Sequence, residues 1–293
     1  MLKQQLTALL LFITGFACAE PLYWQATKGD LSYTLVGSVH VGKPSMYPLP
    51  TALIDKLSKA DGLIIETNTL DSQGVSYPRT TDKTRDHLSQ AQLKELKGIA
   101  QTSGSNFEQL IMQPPWSVAM NLQMHQLNQL GYQPEYGVDL HFMQQAIERK
   151  IPIYALESLQ FQINLISGQP NGGAEMLISL LDEYPHIEQI TDCLLKSWQQ
   201  GDEQQLDTFA KLSDMSPELE QAFIHQRNQA WADILDQRTP LEGQSQPIQA
   251  GSYVVVVGSL HLIGKNNVRE LLEKRGFSIE QSSTSDVAAC NFL

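Results

Sequence analysis

One short pattern occurs twice, at opposite ends of the chain. Gly37-Ser38-Val39-His40 follows the run Tyr33-Thr34-Leu35-Val36, and Gly258-Ser259-Leu260-His261 follows Tyr253-Val254-Val255-Val256-Val257. A β-branched run that stops at glycine reads as a buried strand whose end approaches a neighbour or ligand closely, with a histidine presented just beyond it. Imidazole is the commonest metal ligand and a general base near neutral pH. Two carboxylates stand in comparable places: Glu66 after Leu63-Ile64-Ile65, and Glu157 after Ile151-Pro152-Ile153-Tyr154-Ala155-Leu156. Two imidazoles with one or two carboxylates form a mixed nitrogen and oxygen set suited to a divalent cation such as zinc, manganese, iron or cobalt. Water on such an ion becomes a nucleophile near neutral pH, and a spare carboxylate or imidazole can take its proton. A His-Glu-X-X-His helix, a Gly-X-Ser-X-Gly elbow, a phosphate-binding loop and a dinucleotide fingerprint are all missing from the sequence. Ser38 and Ser259 share a strand face with their histidines if the strands extend that far, and turn hydrogen bonding suits them better than nucleophilic catalysis.

Some set of elements must bring these four groups together. Pro48 and Pro50 mark a turn after the first strand, Leu53, Ile54 and Leu57 fall on one face of a short helix, and Leu63 to Thr67 reads as the next strand. This is a right-handed βαβ unit with parallel strands, which puts His40 and Glu66 at one sheet edge. Val138 to Lys150 reads as a helix leading into the strand that ends at Glu157. Asn266 or Asn267 can cap a helix carrying Val268, Leu271 and Leu272, Gly276 stops it, and Phe277 to Glu280 supplies a last strand. Helical patterns start at Ser89 and Pro115 and recur from Ala174 to Arg238, while Asn171-Gly172-Gly173 and Thr239 to Gly251 read as exposed loops. The expected architecture is α/β, a central mostly parallel β-sheet flanked by helices, with a large helical insertion (about 89–130 and 174–238) between the two histidine strands. Open sheets of this kind bind ligands outside the carboxyl ends of their strands.

Residues 1–19 carry one cation, Lys3, then an apolar stretch from Leu6 to Phe16 and the small residues Ala17-Cys18-Ala19. That is the pattern of a cleavable secretory signal, with cleavage expected after Ala19 and a single domain over residues 20–293. A buried N-terminal helix fits less well, and Gly15-Phe16-Ala17 is a poor lead-in for lipid attachment at Cys18. No later stretch has the length of a transmembrane helix, so a periplasmic or secreted protein is expected. The chain has 20 basic and 32 acidic residues. Such an acidic balance argues against nucleic acid or an anionic membrane as partner and leaves a peptide or a small polar substrate. Cys193 and Cys290 either pair in an oxidising compartment or remain two buried thiols.

Ordered blocks along nearly the whole mature chain resemble the TraB/GumN family, related to the Tiki proteases and more distantly to the erythromycin-esterase and ChaN-like proteins. They are Gly37 to Gly42, Tyr47-Pro48-Leu49-Pro50, Ile65-Glu66, Pro115-Trp116, Gly131-Tyr132, Glu135 to Asp139, Leu156-Glu157-Ser158 with Gln162, Trp198 with Gly201-Asp202, Arg227-Asn228 with Trp231, and Gly258 to Gly264. The resemblance implies an α/β fold and, in the Tiki branch, a divalent-metal-dependent hydrolytic site whose essential residues map to His40, Glu66 and His261. Ser158 and Phe161 depart from the usual pattern without removing a candidate ligand. Arg227 and Asn228, on an expected helix, are read as neutralising a carboxylate or oxyanion and as orienting substrate or water, with surface pairing of the arginine as the alternative. Asp139 could cap its helix or orient the site. The reading is a secreted metal-dependent hydrolase of peptide bonds in which His40, Glu66 and His261 hold the ion, Glu157 ligates it or acts as base, Arg227 stabilises developing negative charge and Asn228 orients substrate or water. The rival reading is a non-catalytic accessory protein that binds a peptide or glycan.

Overall fold

The computed structural model describes residues 19–78, 80–212 and 215–292. The signal-like segment up to Cys18 lies outside the described residues. Six strands form one mixed sheet: β1 (Tyr23–Lys28), β2 (Leu31–Ser38), β3 (Gly62–Ile65), β4 (Ile153–Ala155), β5 (Gly251–Gly258) and β6 (Ser278–Gln281). Their order is β4-β3-β5-β2-β1-β6. Strands β2, β5, β3 and β4 are mutually parallel, while β1 runs antiparallel to both β2 and β6. The expected α/β architecture is therefore present. β2 and β3 are parallel as the βαβ reading requires, but they are not neighbours, because β5 lies between them and pairs with both. That insertion brings the second histidine motif beside the first.

The central strands read as almost unbroken apolar runs because both sheet faces are covered. Val254 to Val257 and Leu35 and Val36 are all at most 1 % exposed. The helix Thr51–Ser58 turns Leu53 and Leu57 inward, and the helix Val138–Arg149 does so with Val138, Phe142, Met143 and Ala146. A second apolar cluster joins Leu96, Ile99, Val118, Leu122, Leu177 and Leu181 within the helical insertion. β1 escapes the sequence reading. It is a hairpin partner of β2 joined through Gly29 (φ +59°) and Asp30, and its alternation of buried Trp24 and Ala26 with Gln25 and Thr27 is the only signal for it.

Asn171-Gly172-Gly173 is not an exposed loop. All three residues have positive φ, and the two glycines are buried against Asp82, Pro115 and Trp116, where a Cβ would lie 2.7 Å and 2.8 Å from its nearest neighbours. Cys193 and Cys290 are joined as a disulfide. It holds the C-terminal segment against the helix Ile187–Gln199, and Phe292 packs on Phe209. Among the described residues no helix is long and apolar enough to cross a membrane.

Candidate functional site

The parallel strands end together, and four of them deliver the residues of interest to one edge. β2 stops at Ser38 and β5 at Gly258, opposite one another in the ladder. The histidines therefore lie beyond the strands, His40 in a loop and His261 on a single 3-10 turn, Ser259–His261. The serine and histidine of each motif consequently do not share a strand face. Ser259 Oγ instead donates to the Ser38 carbonyl at 2.9 Å, stitching one motif to the other. A Cβ on Gly37 would lie 2.8 Å from Ser259 Oγ, so glycine there permits this close packing. Trp198 Nε1 donates to the Gly37 carbonyl at 2.9 Å from the helix below.

Backbone pairing between β3 and β4 continues past the strands proper. Leu156 N–H donates to Ile65 O and Glu157 N–H to Glu66 O, both at 2.9 Å, which sets the two glutamates side by side. Ser158 then caps the helix Leu159–Ser167 through the Phe161 N–H. One turn in, Gln162 Nε2 donates to Glu157 Oε1 at 2.9 Å and to Glu66 Oε2 at 3.2 Å. Gly258 N–H donates to Glu66 Oε1 at 2.6 Å.

Arg227 enters from the helix Gln226–Gln237, directly after a π-helical turn, Gln221–His225. Its Nη2 donates to Glu66 Oε2 and Glu157 Oε1, both at 2.6 Å, and its Nε faces both Glu157 oxygens at 3.1 and 3.3 Å. Nη1 donates to the Phe223 carbonyl at 3.1 Å and to His261 Nε2 at 3.0 Å. Trp231, one turn further along, lies under the guanidinium at 4.6 Å and donates from Nε1 to Glu157 Oε2 at 3.1 Å. Asn228 Nδ2 donates to Asn266 O, so its Oδ1 faces His261 Nδ1 at 2.6 Å. His261 Nδ1 must then carry the hydrogen, and Nε2 is left as a bare lone pair. On the other side, His40 Nδ1 meets Asp139 Oδ1 at 3.2 Å. Asp139 lies in the first turn of Val138–Arg149, whose start is pinned by the Val138 N–H to Val39 O bond at 2.9 Å. An orienting carboxylate on one ring nitrogen aims the other, as in many metal and acid–base sites.

The electrostatics follow from this geometry. Desolvation opposes charge on buried Glu66, yet the two imidazoles, Arg227 and the Gly258 N–H outweigh it and hold its carboxyl well down, to about 2. Burial pushes His261 down to about 4, so its ring is neutral at pH 7. Against a desolvation cost, the Asp139 carboxylate raises His40. Burial likewise opposes the charge on Arg227, but Glu66 and Glu157 raise it, so the guanidinium stays charged.

All six residues singled out from sequence thus meet: His40, Glu66, Glu157, Arg227, Asn228 and His261. A Cβ on Gly258 would stand 3.2 Å from Glu66 Oε1, 3.6 Å from His261 Cδ2 and 3.9 Å from His40 Nε2, so the space above this glycine borders the whole proposed ligand set. Two imidazoles and a carboxylate are the right chemistry for a divalent ion. Their lone pairs are not converged for one, because Arg227 takes His261 Nε2 and Glu66 Oε2; among the described residues no three His, Cys, Asp or Glu side chains form a metal cluster. Sequence reasoning gave no role to the Phe223 carbonyl, which has no side-chain signal, and Gln162 stood out only within a family block. The remaining histidines lie elsewhere: His87 pairs with Asp82 and His141 stacks on Tyr47.

A mostly parallel α/β sheet that gathers two histidines, two glutamates and an arginine at its carboxyl edge defines the class, an α/β protein with a polar site at its strand ends that is buried except at the exposed His40. The chain belongs to the TraB/PrgY/gumN family, whose model matches residues 22–281. It is 32 % identical over 246 residues to the Escherichia coli (strain K12) protein titled "Uncharacterized protein YbaP", covering 83 % of this chain and 89 % of that one. The protein of the same title from Shigella flexneri is 33 % identical over 246 residues, with the same coverage. No solved structure matches the chain.

Proposed function

We propose that the protein is a divalent-metal-dependent hydrolase acting on peptide bonds. The observation that carries this reading is that Glu66 Oε1, the Cδ2 edge of the His261 ring and His40 Nε2 all border the space above Gly258. His40, Glu66 and His261 would hold the ion. When bound, a divalent ion supplies a Lewis acid and a water acidic enough to attack near neutral pH. The chain's own residues do the rest. Asp139 orients His40, Asn228 fixes the His261 tautomer, and Arg227, held by Glu157, presents positive charge where an oxyanion develops. Glu157 is assigned to holding Arg227, because its carboxylate takes both the Nε and an Nη2 hydrogen of the guanidinium while Trp231 Nε1 braces its other oxygen.

The test pairs metal analysis with assay. Wild type is expected to retain or take up about one equivalent of Mn²⁺, Co²⁺ or Zn²⁺ and to cleave members of a broad peptide library in a chelator-sensitive way, as a site with an open coordination position would. The His40→Ala, His261→Ala variant should do neither. Equal metal content in the two proteins would remove the ligand assignment. Tight peptide or glycan binding without cleavage under every metal would instead establish the accessory role. We further propose secretion into an oxidising compartment. The Cys193–Cys290 disulfide supports it, and amino-terminal sequencing of the exported protein should begin at Glu20; a start at Met1 would refute it.

A further inference from the structure

We infer that Arg227 is a built-in competitor for the cation of this site, so that an ion is admitted only as the guanidinium leaves His261 Nε2 and Glu66 Oε2. This inference rests on the metal-dependent reading above and specifies how that site is controlled. Arginine has five N–H groups, and here five acceptor contacts account for them: Glu66 Oε2 and Glu157 Oε1 on Nη2, His261 Nε2 and Phe223 O on Nη1, and the Glu157 carboxylate on Nε. The guanidinium is therefore fully paired while buried, which offsets the cost of burying its charge. It does so by taking the single lone pair of His261 Nε2 that the ligand set needs, together with one of the two oxygens of Glu66.

The conflict at His261 is strict. Asn228 Oδ1 accepts from His261 Nδ1 at 2.6 Å, and Asn228 cannot flip without losing its bond to Asn266 O. The ring is thus locked with one lone pair, on Nε2, and one lone pair serves either an N–H donor or an ion. Charge adds to this, because a guanidinium and a divalent cation that share Glu66 repel in a poorly screened interior. His40 is the exception. Among the described residues its Nε2 makes no hydrogen bond, since its one partner, Asp139, is on Nδ1. In this state His261 Nε2 is occupied by Arg227, while His40 Nε2, without a protein partner among the described residues, must release its proton to ligate an ion.

The contacts of Arg227 divide between the proposed ligands and two anchors, Glu157 and the Phe223 carbonyl. Glu157 receives Nε and one hydrogen of Nη2, and Phe223 O receives one hydrogen of Nη1. The hydrogens on His261 and Glu66 are the other two, and because the remaining three contacts hold every nitrogen of the planar guanidinium, admitting an ion requires that these loosen as well. The Phe223 carbonyl is supplied by the π-helical turn Gln221–His225, an irregularity found frequently at functional sites.

Two measurements test this. First, Mn²⁺ and Zn²⁺ affinities of metal-free wild type, Arg227→Lys and Arg227→Gln are compared by competition with a chromophoric chelator, with circular dichroism to establish folding. Arg227→Gln should bind about tenfold tighter or more, within the range by which groups around a metal's ligands alter affinity. Arg227→Lys, which keeps the charge but lacks the fork, should fall between. Second, wild type labelled with ¹⁵N is titrated with Zn²⁺, which needs no variant to fold. The Arg227 Nε–H resonance, assigned by its absence from Arg227→Lys, should move together with the His261 ring nitrogens. Stoichiometric ion binding to wild type that shifts His261 and leaves Arg227 unmoved, or that is equal or weaker in Arg227→Gln, overturns the competition while the metal site stands. If neither wild type nor Arg227→Gln binds an ion, the metal-dependent reading falls and this inference with it.

Discussion

At the scale of single residues, the site is governed by which lone pairs are spent and on what. Glu66 and His261 both have ordinary chemistry, yet burial, helped by Arg227 and His40, holds the pKa of His261 at about 4, while against the same burial the two imidazoles, Arg227 and the Gly258 N–H hold that of Glu66 at about 2. Gly258 shows how a residue without a side chain can be part of such a site. Its φ of −52° is open to any residue, so alanine there meets no backbone strain, and its methyl would occupy the space bordered by Glu66 Oε1, His261 and His40. Gly258→Ala is therefore expected to weaken divalent-ion binding about tenfold or more with a change in unfolding free energy of only about 1–2 kcal/mol. Unchanged ion affinity in a folded Gly258→Ala protein would show that the ion does not sit above this glycine. The sequence placed glycine correctly at the end of an apolar run, but not its neighbours, since nothing in residues 255–261 indicates that Glu66, almost two hundred positions earlier, supplies the acceptor for its N–H.

At the scale of elements, the decisive fact is that β5, late in the chain, inserts between β2 and β3. Local patterning made the ends of β2, β3 and β5 legible: each is an apolar run that stops at glycine or glutamate. Pairing is not local. Ser38 lies opposite Gly258 and Ile65 opposite Val256, and these registers set the distance from each histidine to Glu66. Capping, by contrast, was readable, because an Asx or serine cap satisfies N–H groups within three residues. Ser89 accepts from the Gln92 N–H and Asn267 from the Glu270 N–H, as their positions before apolar periodic segments imply. The short β4 and the hairpin strand β1 were less legible. One has only three paired residues, and the other alternates weakly beside a stronger strand. The left-handed run at Asn171–Gly173 was misread for a related reason: Asn-Gly-Gly marks positive φ, but whether such a turn faces solvent depends on Pro115 and Trp116 elsewhere in the chain.

At the scale of the whole molecule, the sheet core takes in Leu195, Trp198, Leu206 and Trp231 of the insertion, while the helices carrying Leu96, Val118 and Leu177 form a second apolar cluster. The C-terminal segment is tied across the helical side by the Cys193–Cys290 bond, and Ala288 N–H donates to Asp202 Oδ2 at 2.8 Å beside it. The bond closes a span of 97 residues, a long loop whose freedom in the unfolded chain it restricts. The Cys193→Ser, Cys290→Ser variant should thus be less stable than oxidised wild type by about 2–5 kcal/mol in urea unfolding. Equal midpoints and slopes would mean that the tail is held by its packing and hydrogen bonds alone. The proposed ligands His40, Glu66 and His261 follow directly on the strands β2, β3 and β5, so this loss is expected to leave ion affinity unchanged wherever the variant is folded.

The sequence by itself determined the residue types of the site, the strands that end beside them, the caps, the family and the class of fold, because each of these is written within a few neighbouring positions or in their order. Whether Cys193 and Cys290 pair, and which carboxylate oxygen meets which donor, depended on distances between segments tens to hundreds of residues apart. Only the tertiary structure decided that Arg227 faces inward to Glu66, Glu157 and His261 rather than outward to solvent. Helical periodicity places Arg227 beside the buried Trp231 stripe but cannot say that two glutamates wait across the gap. The physical reason is that a buried guanidinium is tolerable only where acceptors converge on it, and those acceptors come from β3, β4, the turn after β5 and the π-helical turn, elements that meet nowhere but in the folded chain.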